Sequence, residues 1–394
     1  MSKYLLLPFG RRLVSKVIAP LFSASILVFT VSAHANPIEQ TNLVTDNQSV
    51  LMGLGYAPAA HLDPNLVNPW GASHTGSSPF WVSDNGTGLA TLYNSSGVPQ
   101  ALVVTIPGGF PTGQVFNPTS NLGSFNGDIF LFGSESGTIS GWRGALLTTA
   151  ETLQIGSAAN VYKGEAIATV GGHTYLYSAN FRTGTIDVLK GDASAPDLPG
   201  KFTDPNLPSG YAPFNVQVLN GTIYVTYALQ DAAKHDDVPG PGNGFVSAFD
   251  LTGNFIKRVA SGGTLNSPWG LDIAPPGFGD FANDLLVGNF GDGKINVFDP
   301  GTSAFLGQLV DASGNPIAID GLWALINGNG GNGGNPNLVY FTAGINNEAD
   351  GLFGSLAAVP EPSSLALLSA GLFGLGILQW RRRLTGRRGL LSER

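Results

Sequence analysis

No cysteine occurs among the 394 residues, and only five histidines do. The first absence excludes disulfide staples, thiol nucleophiles and thiolate metal sites, so stability has to come from packing. Charge is scarce too: Asp, Glu, Lys and Arg make up 12% of the chain, about half the usual share. With 10% aromatics, this is the wrong balance for a disordered chain. Sustained runs of Ala, Glu, Lys and Leu are missing, which excludes a coiled coil or helical bundle. The glycines keep no period of three, which excludes a collagen-like helix. What is abundant is glycine and proline, 55 and 26 residues, between short runs of Val, Ile, Phe and Tyr. That pattern belongs to a turn-rich, all-β domain.

Both ends read as targeting segments. Lys3, Arg11, Arg12 and Lys16 precede an apolar stretch from Val17 to Ser32, and Ala33-His34-Ala35 is an A-x-A cleavage site, so residues 1–35 are expected to be a signal peptide. At the other end, Val359-Pro360-Glu361-Pro362 leads into 18 uncharged residues, 363–380, and then Arg381-Arg382-Arg383. Eighteen helical residues span about 27 Å, enough for a bilayer core, and the arginines mark its cytoplasmic end. This order over residues 359–388 resembles the PEP-CTERM sorting signal of bacterial envelope proteins. The resemblance implies export by the secretion machinery, then cleavage by an exosortase near Pro360-Glu361-Pro362. The product would be released or attached at the cell surface, often alongside exopolysaccharide. A plain tail anchor is the alternative.

Between the ends, residues 36–358 carry nine basic and 25 acidic side chains, a net charge of −16. So acidic a domain, without a basic patch, repels phosphate backbones and excludes nucleic acid as a partner. A strand grammar recurs through it. Asn68-Pro69-Trp70-Gly71 is followed by the apolar run 80–83 and Asp84-Asn85, then by Gly88 and an alternating strand. Ser267-Pro268-Trp269-Gly270 is followed by 285–288 and Asn289, then Gly293 and another such strand. Weaker copies place turn glycines at Gly137, Gly184, Gly244 and Gly351. Six units of roughly fifty residues, each holding three or four short strands, give the arithmetic of a six-bladed β-propeller. Leu43-Val44 would supply a strand that closes the ring and removes free edges. The grammar resembles NHL-type propellers. Over about residues 40–355, Asn42-Leu43-Val44-Thr45-Asp46 and Asn68-Pro69-Trp70-Gly71 also resemble a family of uncharacterised secreted bacterial proteins, which implies a fold and no activity.

Enzyme signatures are scarce. There is no Gly-x-Ser-x-Gly elbow, His-Glu-x-x-His helix, P-loop or dinucleotide fingerprint. His61, His74, His173 and His235 stand singly. The candidates are oxygen ligands: Asp84, Asn180 and Asn289 follow second strands, while Glu165, Asn215, Asp272 and Asp320 lie in or beside first strands, which line a propeller axis. Converging at a channel mouth, they would offer the hard ligands Ca²⁺ accepts. As turn formers, they would only satisfy nearby backbone groups. Asp231–Asn243 and Asn327–Asn337 read as exposed loops on one face. The favoured reading is a non-catalytic binding or structural module at the cell surface or in extracellular matrix, with a glycan or an envelope protein as partner. The alternative is a secreted metal-dependent lactonase- or esterase-like hydrolase with axial Glu, Asn and Asp ligands.

Overall fold

The computed structural model describes residues 36–359. The expected signal peptide with Ala33 and Ala35 lies outside the described residues. So do Pro360, Glu361, Pro362, the helix expected over 363–380, and Arg381, Arg382 and Arg383. Among the described residues, no helix is long and apolar enough to cross a membrane.

Six sheets, antiparallel except where His61–Leu62 runs parallel to Ile38–Thr45 at the edge of the sixth, are arranged as the blades of a propeller. Their innermost strands are Pro69–Ser73, Pro111–Phe116, Tyr162–Val170, Tyr211–Leu219, Pro268–Ile273 and Leu322–Asn327. Each lies against the next, and the sixth against the first, which makes the ring. Blades one, two, four and five have four strands, and blade three has three. The sixth is completed from the far end of the chain: Ile38–Thr45 pairs antiparallel with Leu352–Ala358, from Ile38 opposite Ala358 to Thr45 opposite Leu352. The closing strand expected around Leu43-Val44 is therefore present, and it stitches the first described strand to the last.

Charge is low because the blades bury both faces. The apolar core divides into wedges between neighbours, as where Trp81 and Leu92 of blade one meet Phe130, Phe132 and Trp142 of blade two. Blades four and five meet in the same way through Val246 and Val259 against Leu271, Leu285 and Val287.

All six inner strands carry a register shift at one position, so the strand bends where it approaches the axis. Aligned on that shift, Pro69-Trp70-Gly71 corresponds to Pro111-Thr112-Gly113, Tyr162-Lys163-Gly164, Pro213-Phe214-Asn215, Pro268-Trp269-Gly270 and Leu322-Trp323-Ala324. The third residue is small in five blades and Asn215 in the fourth, and the small size has a steric cause. A Cβ on Gly113 would sit 2.4 Å from the Glu165 backbone nitrogen, and one on Gly71 would sit 2.6 Å from the Thr112 carbonyl oxygen.

Candidate functional site

The bulky second residue of those triplets plugs the axis. Trp70 stacks on Trp323 with ring centroids 3.5 Å apart, and Trp269 meets both edge-on at 6.2 and 5.7 Å. Phe290 stacks on Trp323 with centroids 4.0 Å apart, and Phe214 packs against it at a tilt. Lys163 occupies the equivalent position in blade three. Its stem is buried, and its Nζ lies 5.0 Å from the Trp70 ring centroid.

Above this plug, on the face where inner strands begin, a polar arc crosses five blades. Trp323 Nε1 donates to Asn68 Oδ1 at 3.0 Å, and Asn68 Nδ2 donates to Glu348 Oε2 at 2.7 Å. Asn85 Nδ2 donates to Glu135 Oε2 at 3.0 Å. The Lys163 ammonium is paired with Glu135 and lies 3.3 Å from Asp236 Oδ1. His235 Nδ1 is 2.8 Å from the same Asp236 oxygen. Glu135, His235 and Asp236 each present a ligand atom within 4.8 Å of the other two, a grouping compatible with a metal ion.

Two carboxylates thus pair with one ammonium, and Asp237 and Glu348 lie near enough to feel its charge. Burial pulls the Lys163 pKa down, but Glu135 and Asp236 outweigh it and hold the ammonium charged. Burial likewise pushes Asp236 up, yet Lys163 and His235 bring it below the usual carboxylate range. Asp237 is pushed up to about 6 by burial, against the pull of Ser267 and Lys163. Glu348 is also raised by burial, in spite of its Asn68 bond.

Backbone strain accumulates at the same mouth. Asn68, Phe110 and Ser267, each directly before an inner-strand proline, have φ of 47°, 49° and 45°. Left-handed backbone is costly for a bulky side chain, and Phe110 is nonetheless 57% exposed. Asn346, Asn347 and Glu348 form an unbroken left-handed run that brings Glu348 to Asn68. Non-glycine residues held this way cluster at functional sites.

The residues singled out from the sequence are placed elsewhere, and none is hydrogen-bonded to another. Asp84 is fully buried, accepts from the Thr91 hydroxyl at 2.7 Å, and is pushed well up by burial. Asn180 accepts from the Val161 backbone and donates to Asp187 Oδ2 at 2.8 Å. Asn289 donates to the Thr264 carbonyl and to Asp292. Glu165 accepts from Ser178 at 2.6 Å, leaving Oε1 without a partner among the described residues. Asn215 donates across the blade boundary to the Trp269 carbonyl at 2.7 Å. Asp320 accepts from the Asn346 backbone on the exposed surface. Asp84, Asn180 and Asn289 do share one register position at the end of their second strands.

The mouth itself was missed. Glu135, Asp236 and Glu348 lie in loops between second and third strands that share no motif. The loops at 231–243 and 327–337 also differ from expectation. The first joins the inner pair of blade four to its outer pair and carries Asp236 to Lys163. The second joins the first two strands of blade six, at the opposite face, and is ordered by Asn329, whose Nδ2 donates to the Thr75 and Ser78 carbonyls.

Comparison with known proteins bears on both parts of the chain. Residues 358–383 match the model of the PEP-CTERM protein-sorting motif, which implies an exported protein with a membrane-anchored precursor processed by exosortase. Among solved structures, the PQQ-bound aldose sugar dehydrogenase of Streptomyces coelicolor is similar at 14% identity and a TM-score of 0.48, with 82% of this chain and 99% of that one covered. Uncharacterized protein L690 of Acanthamoeba polyphaga mimivirus is 31% identical over 343 residues, 80% of this chain and 85% of that protein. Uncharacterized protein R648 of the same virus is 32% identical over 322 residues, 76% of each. The chain belongs to the family of these two viral proteins.

Proposed function

We propose that this protein is a non-catalytic binding module, displayed at the cell surface or in extracellular matrix after exosortase processing, and that its axial mouth takes a hydroxyl-rich glycan. The observation that carries this reading is the Glu348–Asn68 and Asn85–Glu135–Lys163–Asp236 arc. Carboxylates and amides along one arc can each accept from or donate to sugar hydroxyls, and exposed Phe110, whose carbonyl accepts from Glu135 N, adds a ring face beside them. The aromatic plug beneath limits the ligand to the rim. The five described tryptophans are all buried, so recognition rests on hydrogen bonding more than on tryptophan stacking.

The test is co-sedimentation and calorimetry of the propeller, whose ring closes within residues 38–358, against neutral and acidic exopolysaccharides. Saturable binding is expected, weakened at least tenfold by Asn68→Ala or Phe110→Ala. Absence of binding to every glycan offered overturns it. The metal-dependent hydrolase is the second reading, favoured by the Glu135, His235 and Asp236 grouping. It requires stoichiometric bound metal and turnover of a lactone or ester, both abolished by Asp236→Asn.

A further inference from the structure

At the other end of the axis, below the aromatic plug, the six inner strands enclose a second cavity of about 220 Å³. Its walls are mainly aliphatic, with Ile167, Leu271 and Leu325 contributed by three different blades. One carboxylic acid stands among them. Asp272 Oδ1 accepts from its neighbour's backbone, Ile273 N, at 2.8 Å, and from Asn327 Nδ2 at 3.4 Å. Asp272 Oδ2 has no partner among the described residues, although the residue is only 8% exposed. Ser73 also lines the cavity, and its hydroxyl is buried and equally unpartnered.

An unpaired buried carboxyl oxygen is costly, and here the residue that carries it lines a space that a ligand can fill. We infer that this lower cavity binds a small organic cation, a primary ammonium on a short aliphatic stem, with Asp272 as its counter-ion. Asp272 Oδ2 and the Ser73 hydroxyl would accept from the ammonium, while the stem lies against Leu271, Leu325 and Ile167. A divalent metal is a poorer match, because Ca²⁺ takes six to eight oxygens and Asp272 is the one carboxylate in the lining among the described residues. Among the described residues only one other titratable side chain, His74, lines the cavity, and both its ring nitrogens are engaged by the Thr75 and Asn327 backbone carbonyls. The site is independent of the mouth, so either proposal can fail without the other.

Burial raises the Asp272 pKa to about 8, opposed by the Ile273 backbone and Asn327 bonds, so a cation must displace a proton. Calorimetry of the propeller with n-butylammonium chloride should give saturable one-to-one binding at pH 9. Each pH unit below 8 should cost about tenfold, so affinity at pH 6 should be roughly a hundredfold lower. At pH 7 the heat should change with the ionisation enthalpy of the buffer, reporting release of one proton. Asp272→Asn should remove binding. Gln217→Trp, at a half-buried lining residue, should block the cavity while Asp272 is retained, which guards against a folding defect in the first variant. Equal binding of n-butanol would overturn the counter-ion, and displacement of n-butylammonium by Ca²⁺ would overturn the ligand class. No heat with the unmodified protein at pH 9 would overturn the site.

Discussion

Lys163 is the residue on which the mouth turns. It stands where blades one, five and six place tryptophan, and its charge is held by Glu135 and Asp236. Removing one member of a buried ion pair leaves the other charges uncompensated. Lys163→Met should therefore cost about 2–4 kcal/mol in urea unfolding, and adding Glu135→Gln should recover part of that loss. Lys190 and Asp197 offer the contrast. Their pair is 2.6 Å long, but its side chains are 37% and 93% exposed, and Lys190→Ala should shift stability by less than about 1 kcal/mol. Nothing in the sequence separated these lysines. Lys163 sits at a position whose aromatic character shows only after alignment on the bulge.

At the level of the strand, the recurring kink explains both what the sequence disclosed and what it hid. Alternating strands and turn glycines were legible because dihedral needs are local: Gly88, Gly137, Gly184 and Gly293 all have φ between 68° and 78°. Gly244 and Gly351 answer to a different constraint, close approach, with a Cβ on Gly351 falling 1.9 Å from the Leu66 carbonyl oxygen. The triplet read as Pro-Trp-Gly in two units was obscured in the other four, because the neighbouring strand asks only for a small third residue, and blade four places Asn215 even there. Gly113→Ala should accordingly cost about 2–3 kcal/mol, since the obstacle is backbone and cannot swing aside. Gly53→Ala, at the end of the short helix Gln48–Gly53 with nothing within 4 Å, should be neutral or slightly stabilising. The mouth stayed illegible because its parts come from loops around residues 85, 135, 236 and 348 that only ring closure brings together.

For the whole molecule, acid balance and ring closure both yield predictions. Burial pushes Asp46, Asp128 and Asp237 up to about 6 from an ordinary value near 4. The folded chain then holds more protons than the unfolded chain between those limits, so stability falls as pH rises from about 4 to 6. The urea midpoint should be higher at pH 5 than at pH 7.5, and Asp46→Asn should reduce the difference. Asp46 is at the seam itself, where its Oδ1 accepts from Gly351 N at 2.8 Å. Deleting residues 36–46 should abolish the cooperative melt and cause self-association through the bared edge of Leu352–Ala358. Moving that segment behind Ala358 on a short linker should restore the melt.

The seam also sets a timetable for export. Ile38–Thr45 emerges first on the far side of the membrane, and its partner Leu352–Ala358 emerges last. Until then, the early segment waits beside five nearly complete wedges with no mate. A chaperone guarding this chain during export would have one short strand to cover, apolar only at Ile38, Leu43 and Val44, and a stalled translocon would leave that strand as the first point of proteolytic attack.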